Sequence, residues 1–231
     1  MSLFRLDASI NPSTSQSRAL ADLVEAEWTS EHPDSIVTRR DIGTEPLPAT
    51  AWRTAALAAF VADADRTEEQ REAIALATTL VDELVDADAI LLAIPLYNWG
   101  VAAHVKTWYD VTYTDARIKG GALAGKPVVL ASVLGGDYRP ESGKADWDHS
   151  TPWLRHVIEN VWKADLLVVQ RQLTLVGVIP RSTRSRSRRS RSAQPPINSP
   201  ANTGAASPPS GTPKARASDV GWSWARPARP R

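Results

Sequence analysis

The 231-residue chain predicts a doubly wound α/β domain with a five-stranded parallel sheet. Three observations carry this. Segments of strand and helix periodicity alternate as β-α-β-α-β-α-β-α-β over residues 1–180. The run "AILLAIP" (89–95) is apolar at successive positions, as a central strand covered on both faces requires. Hydroxyl-, aromatic- and glycine-rich stretches follow three of the strands, at the edge where open α/β sheets bind ligands.

In order, "SLFRLDAS" (2–9) is a short, partly alternating first strand. "STSQSRALADLVEAEWTSEHP" then changes to helical spacing, with Ala19, Leu20, Leu23, Val24 and Ala26 on one side, Trp28 at the end and Pro33 closing it. "SIVTRRD" (35–41) is the second strand, and the proline-containing loop "GTEPLPATAW" leads to a short Ala-rich helix near 51–62. Thr67 followed by acids marks the start of a longer helix carrying Ile74, Leu76, Leu80, Leu84 and Val85. "AILLAIP" is the third strand and "GVAAHVKTWYDVTY" a helix. "KPVVLASV" (126–133) is a fourth, buried strand. "STPWLRHVIENVWKA" is a helix with Ser150 as N-cap and Pro152 in its first turn, and 165–177 hold the last strand.

Charge divides the chain. Lys and Arg number 27 against 26 Asp and Glu, but residues 181–231 contain 11 of the basic residues and the single acid Asp219. This segment has eight of the 17 prolines and neither Leu nor Phe, so it cannot bury enough apolar surface to offset the entropy of ordering. We expect a domain over 1–180 and a disordered basic tail over 181–231. A five-stranded sheet of this kind ends in a fifth helix, which the pattern after "LTLVGVIP" lacks. Abrupt passage into Arg, Ser, Pro, Ala and Gly is what a GC-rich gene read out of frame gives. The other reading of "RSTRSRSRRSRS" is a nucleic-acid-binding tail, which salt would weaken.

Absence of Cys excludes disulfides, thiolate catalysis and Cys-ligated metals. The N-terminus has no signal-peptide pattern and no apolar run is long enough to span a bilayer, so the expectation is a cytoplasmic protein without membrane association. His32, His104, His149 and His156 form no HExxH-type spacing, and no metal site is expected.

The three loops suggest one ligand. "ASINPSTSQS" (8–17) runs into a helix N-terminus, where free N–H groups and hydroxyls suit a phosphate; the alternative is that Ser15 simply caps the helix. "PLYNWG" (95–100) offers aromatic walls and backbone donors to a planar heterocycle, unless Tyr97 and Trp99 are packing residues. "SVLGGDY" (132–138) has Gly135 and Gly136, which permit close backbone approach or merely a turn. Neither GxxxxGK[ST] nor GxGxxG occurs, which removes the main support for a P-loop or a dinucleotide Rossmann site.

The segments "SQSRALAD", "RRDIGTEPLP", "PLYNWGVAAHVKTWYD" and "HSTPWLRHVIENVW", in this order and spacing, resemble the FMN-dependent NADH azoreductase and NAD(P)H:quinone oxidoreductase family, with a flavodoxin-like fold. The resemblance implies a homodimer with one FMN per subunit and the active site near the subunit interface. It implies that Ser9, Ser15, Gln16 and Ser17 hold the FMN phosphate. Leu96, Tyr97, Asn98 and Trp99 would line the isoalloxazine, largely through backbone groups, while Gly135 and Gly136 close over the ring's polar edge. Where many members carry a polar pair before the two glycines, this chain has Val133 and Leu134. The implied chemistry is hydride transfer from NADH or NADPH to FMN and on to a quinone or azo acceptor, by a ping-pong mechanism with no catalytic side chain. The alternatives are a flavodoxin-like electron carrier, or an inactive homologue whose basic tail binds nucleic acid. A carrier would not oxidise NADH quickly, whereas a reductase would turn over NADH with menadione or an azo dye.

Overall fold

The computed structural model describes residues 1–175. The readings made for 176–231, including the missing last helix and the basic tail, lie outside these residues. Five parallel strands, β1 (Ser2–Asp7), β2 (Ile36–Asp41), β3 (Ala89–Pro95), β4 (Pro127–Val133) and β5 (Asp165–Arg171), form one sheet in the order β2-β1-β3-β4-β5. The chain leaves β1 first toward β2 and later returns on β1's other side as β3. Between β1 and β3 the connections therefore diverge, opening a crevice at the strands' carboxyl ends.

The strands alternate their side chains between two apolar layers. Leu6, Ile90, Leu92, Ile94, Val128 and Leu130 pack against one set of helices; Leu3, Leu91, Ala93, Val129 and Ala131 face the other way. The first layer is covered by α2 (Ala51–Ala58), α3 (Glu68–Asp86), α4 (Ala103–Thr112) and the segment from α6 (Thr151–Arg155) through Trp162. A further turn, α5 (Ala116–Lys119), buries Ile118 in the same layer. Among the described residues, only α1 (Gln16–Glu31) covers the second layer, and Leu167 and Val169 of β5 remain only partly buried there.

Several expectations need correction. The first helix forms where expected, but it buries Ser17, Ala21 and Trp28, whereas Ala19, Ala26 and Leu23 (62% exposed) face solvent. Leu20 and Val24 flank the contact. The Ala-rich helix stops at Ala58 and is followed by a single tight turn at Asp63–Asp65. Ser150 makes no capping hydrogen bond; the Asp148 carboxylate accepts from the N–H groups of Ser150 and Thr151 instead, at 3.0 and 2.9 Å. Beyond Arg155 the helix widens through His156–Val161, and the Trp162 N–H reaches the Val157 carbonyl five residues back. The last strand ends at Arg171, short of the expected 177. The expected start of the third helix is present as a reciprocal cap between Thr67 and Gln70. No helix among the described residues is long and apolar enough to cross a membrane.

Candidate functional site

The first ligand loop leaves β1 at Ala8. Asn11 organises its tip: its side-chain oxygen accepts from the N–H groups of Ser13 and Thr14, and its amide donates to the Thr14 hydroxyl at 2.7 Å. The Ser15 hydroxyl accepts from the Arg18 N–H at 3.2 Å, so Ser15 does cap α1. Capping uses the side chain only. The backbone N–H groups of Ser15, Gln16 and Ser17 have no acceptor among the described residues. Three such donors in succession at the positive end of a helix form a seat for an anion. Ser17 is buried and its hydroxyl lies 3.1 Å from that of Ser15; Ser9, also buried, bonds to Asn11.

The second loop is a tight turn from Tyr97 to Gly100. The Gly100 N–H donates to the Tyr97 carbonyl at 3.0 Å, and both central residues have positive φ, 48° at Asn98 and 64° at Trp99. This φ pattern belongs to a type I′ turn, which Asn tolerates and Trp ordinarily avoids. Trp99 is half exposed and meets Trp147 edge to face at 6.1 Å between ring centroids. Its carbonyl accepts from the His149 N–H at 2.9 Å.

The two loops meet. The Tyr97 hydroxyl lies 3.4 Å from the Ser9 hydroxyl and accepts from the Ile10 N–H at 3.2 Å. His104, at the start of α4, closes the same space with its Nε2 2.8 Å from the Ala8 carbonyl. Between them lies a cleft of about 360 Å3, lined by Ile10, Tyr97, Asn98, Gly100 and His104 among others. That volume falls in the range of small-molecule sites, roughly 300–1,000 Å3.

The third loop begins beside the second, where the Leu96 N–H donates to the Val133 carbonyl at 2.8 Å. Leu134 is buried and its N–H bonds to the Arg171 carbonyl, while the chain after β5 crosses the glycines: Leu173 and Leu175 donate to the carbonyls of Gly136 and Gly135. A Cβ at Gly135 would lie 2.5 Å from Leu175 Cδ1, and one at Gly136 would lie 3.2 Å from the Tyr138 ring. Leu175 and Tyr138 thus pack on the Cβ side of Gly135 and Gly136.

Residues that sequence reasoning did not select hold the first loop from below. Arg18 Nη2 donates to both carboxylate oxygens of Asp41, at 2.8 and 2.7 Å, and to the Ser9 carbonyl at 3.1 Å. Asp41 also accepts from the N–H groups of Gly43 and Thr44. Burial acts to raise the Asp41 carboxyl, but the hydrogen bonds from Thr44 and Arg18 outweigh it and hold the group below its ordinary value. A depressed folded value gives stability that is complete above the unfolded value of about 4 and is lost as pH falls through the folded one. We therefore expect Asp41→Asn to melt below the wild type at neutral pH, with the gap closing as pH falls below about 4. Melting temperatures of both proteins between pH 3 and 7 check this.

The residues fit a bound flavin mononucleotide at two of three places. The phosphate seat has unpaired N–H groups, buried hydroxyls and a buried, unpaired Arg18 Nε beside it; the cleft borders the Tyr97–Gly100 turn. Residues 1–168 match the family model described as flavodoxin-like fold. The chain is 32% identical over 183 residues to an FMN-dependent NADH:quinone oxidoreductase of Parafrankia sp., covering 77% of this chain and 86% of that one. It is 36% identical, with the same coverage, to another of that name from Kineococcus radiotolerans. Among solved structures, azoreductase AzrA superposes with a TM-score of 0.65 at 20% identity, over 76% of this chain and 88% of that one. An FMN-dependent NADH-azoreductase from Bacillus anthracis, in complex with FMN, gives 0.61 at 15% identity over 76% and 89%; both support the fold alone. With its strand order, the family match and these relatives, the chain belongs to the flavodoxin-like family of FMN-dependent NADH:quinone oxidoreductases.

Proposed function

We propose that this chain is an FMN-dependent reductase that oxidises NADH or NADPH and reduces quinones, azo compounds or both. The observation that carries the reading is the meeting of an N–H-rich serine loop and a strained aromatic turn at the divergence between β1 and β3. The N–H groups of Ser15, Gln16 and Ser17, with the Ser9 and Ser17 hydroxyls, would hold the phosphate. Leu96 to Trp99 would orient the ring through their backbone, and Tyr97, Trp99 and Trp147 would keep water from its face. Gly135 and Gly136 would reach the ring's polar edge once the Leu173–Leu175 segment yields. FMN, when bound, would supply the hydride acceptor and donor, so the chain itself needs no catalytic acid or base.

One site serving two substrates in turn supports ping-pong kinetics. Residues 1–180 would fold as the catalytic domain and work as a homodimer. The test is a visible spectrum of the desalted full-length protein after incubation with FMN, followed by oxidation of NADH and of NADPH with menadione and with an azo dye. The reading expects a near-stoichiometric flavin band and, on varying both substrates, parallel double-reciprocal lines. A protein that stays colourless, or binds flavin without oxidising either NADH or NADPH, would overturn it.

A further inference from the structure

Beneath the phosphate loop runs a chain of charges that reaches from α1 and β1 to the end of β2. Arg5, nearly buried in β1, donates to both oxygens of Asp7 at 3.0 and 3.1 Å and to Asp22 and Glu25 of α1 at 2.6 and 3.0 Å. Asp7, also buried, lies 3.8 Å from Arg18 Nη1. Arg18 then pairs with Asp41 through Nη2 and gives the same nitrogen to the Ser9 carbonyl. So many charges in one layer are costly to desolvate, and apolar residues of similar size would stabilise the sheet as well or better. Stability alone is therefore a weak reason for the arrangement.

The position of its far end supplies a better one. Ser9 is held at its carbonyl by Arg18, at its hydroxyl by Asn11 and Tyr97, and from beneath by Gly43, where a Cβ would come within 2.1 Å of the Ser9 carbonyl oxygen. Nη2 alone meets the Asp41 carboxylate and the Ser9 carbonyl, with Nη1 turned toward Asp7; the rigid guanidinium plane fixes the direction of these donors, which a freely rotating ammonium would not. With Asp7 and Asp41 beside it, the charge of Arg18 is largely compensated. It contributes geometry to the loop more than net attraction for an anion.

Resting on the flavin reading above, we propose that Arg18, locked by Asp41, is a positioning residue that sets the register between Ser9 and the Ser15–Ser17 N–H groups, and thereby the affinity for the phosphate end of the cofactor. Arg18 lies in the first turn of α1, three residues after the capping Ser15, so one side chain ties the helix that carries the N–H groups to the strand-end residue opposite them. Arg18 makes no contact with the Tyr97–Gly100 turn itself, whose closing hydrogen bond runs from the Gly100 N–H to the Tyr97 carbonyl; the two meet only through the Ser9 and Tyr97 hydroxyls.

The experiment separates the two ends with two probes. FMN and riboflavin share the ring and ribityl chain and differ in the phosphate. Full-length protein freed of flavin is titrated with each, following quenching of flavin fluorescence, for the wild type, Arg18→Lys, Arg18→Gln and Arg40→Lys. Arg40 of β2 pairs with Glu83 of α3 without touching the loop, and serves as the control for loss of a similarly shielded ion pair. We expect Arg18→Lys to weaken FMN about tenfold, the loss of one charge-assisted hydrogen bond, with riboflavin changed less than about twofold. Arg18→Gln should weaken FMN at least as much, and Arg40→Lys should leave the FMN-to-riboflavin ratio unchanged even if it lowers the melting temperature. Equal loss of both flavins in the Arg18 variants, or an unchanged ratio, would overturn the proposal by making Arg18 a residue of stability only. Failure of the wild type to bind either flavin would instead sink the functional reading on which it rests.

Discussion

Gly43→Ala should abolish FMN retention and lower the melting temperature, the largest single effect expected of a one-carbon change in this chain. The added Cβ would stand 2.1 Å from the Ser9 carbonyl oxygen, 2.5 Å from its carbon and 2.9 Å from its nitrogen. All three are backbone atoms, so no rotamer change can relieve the contact. Either the turn after β2 moves away, pulling Gly43 and Thr44 off the Asp41 carboxylate, or Ser9 moves into the ligand loop. Overpacking of this kind costs roughly 1–3 kcal/mol, and a domain of this length melts about 2–4 °C lower per kcal/mol. FMN affinity should fall by more than tenfold, because displacement of Ser9 disturbs the hydroxyl contact to Tyr97 and the N–H contact from Ile10 together. Calorimetry and a flavin titration read both effects. A variant with wild-type affinity would show that the position of Ser9 is immaterial to the ligand.

How far the sequence revealed these features depends on how local their causes are. The third strand was legible to the residue, because burial on both faces leaves a run of apolar side chains that nothing else explains. The start of α3 was legible because its cap lies within four residues. The buried face of α1 was not. Its stripe begins with two small residues, Ser17 and Ala21, that let the helix approach the sheet, and ends at the buried Trp28, while the more apolar Leu23 faces water. The cap before α6 is not legible for a related reason: both Asp148 and Ser150 are good caps, and only the path of the loop decides between them. At the site, the serine run announces an anion seat by composition. Its supports do not. Gly43 and Asp41 meet Ser9 and Arg18 across more than twenty residues, and their pairing exists only once β1 and β2 lie side by side. The crossing of the glycine loop by Leu175 is likewise a tertiary contact between separate strand ends, without a local signature.

Trp99 offers a test of whether the aromatic turn binds by its side chain or by its backbone shape. Its φ of 64° lies in the left-handed region, where a side chain costs about 1–2 kcal/mol and a β-branched one more. The indole recovers part of this through Trp147, an edge-to-face contact of about 0.5–1.5 kcal/mol. Glycine at 99 removes both the strain and the contact, so Trp99→Gly should melt within a few degrees of the wild type. Valine keeps neither the contact nor a permissible φ, so Trp99→Val should either lose stability or flip the turn, breaking the Gly100-to-Tyr97 hydrogen bond and the tie to His149. If the ring is held by backbone groups of Leu96 to Trp99, FMN affinity should fall at least tenfold in Trp99→Val and by no more than about threefold in Trp99→Gly. The comparison is informative because both variants lack the indole, and only the allowed backbone differs. Equal loss in the two would make the indole itself the contact, and the positive φ at residue 99 would then serve to aim that side chain at the ligand rather than to shape the turn.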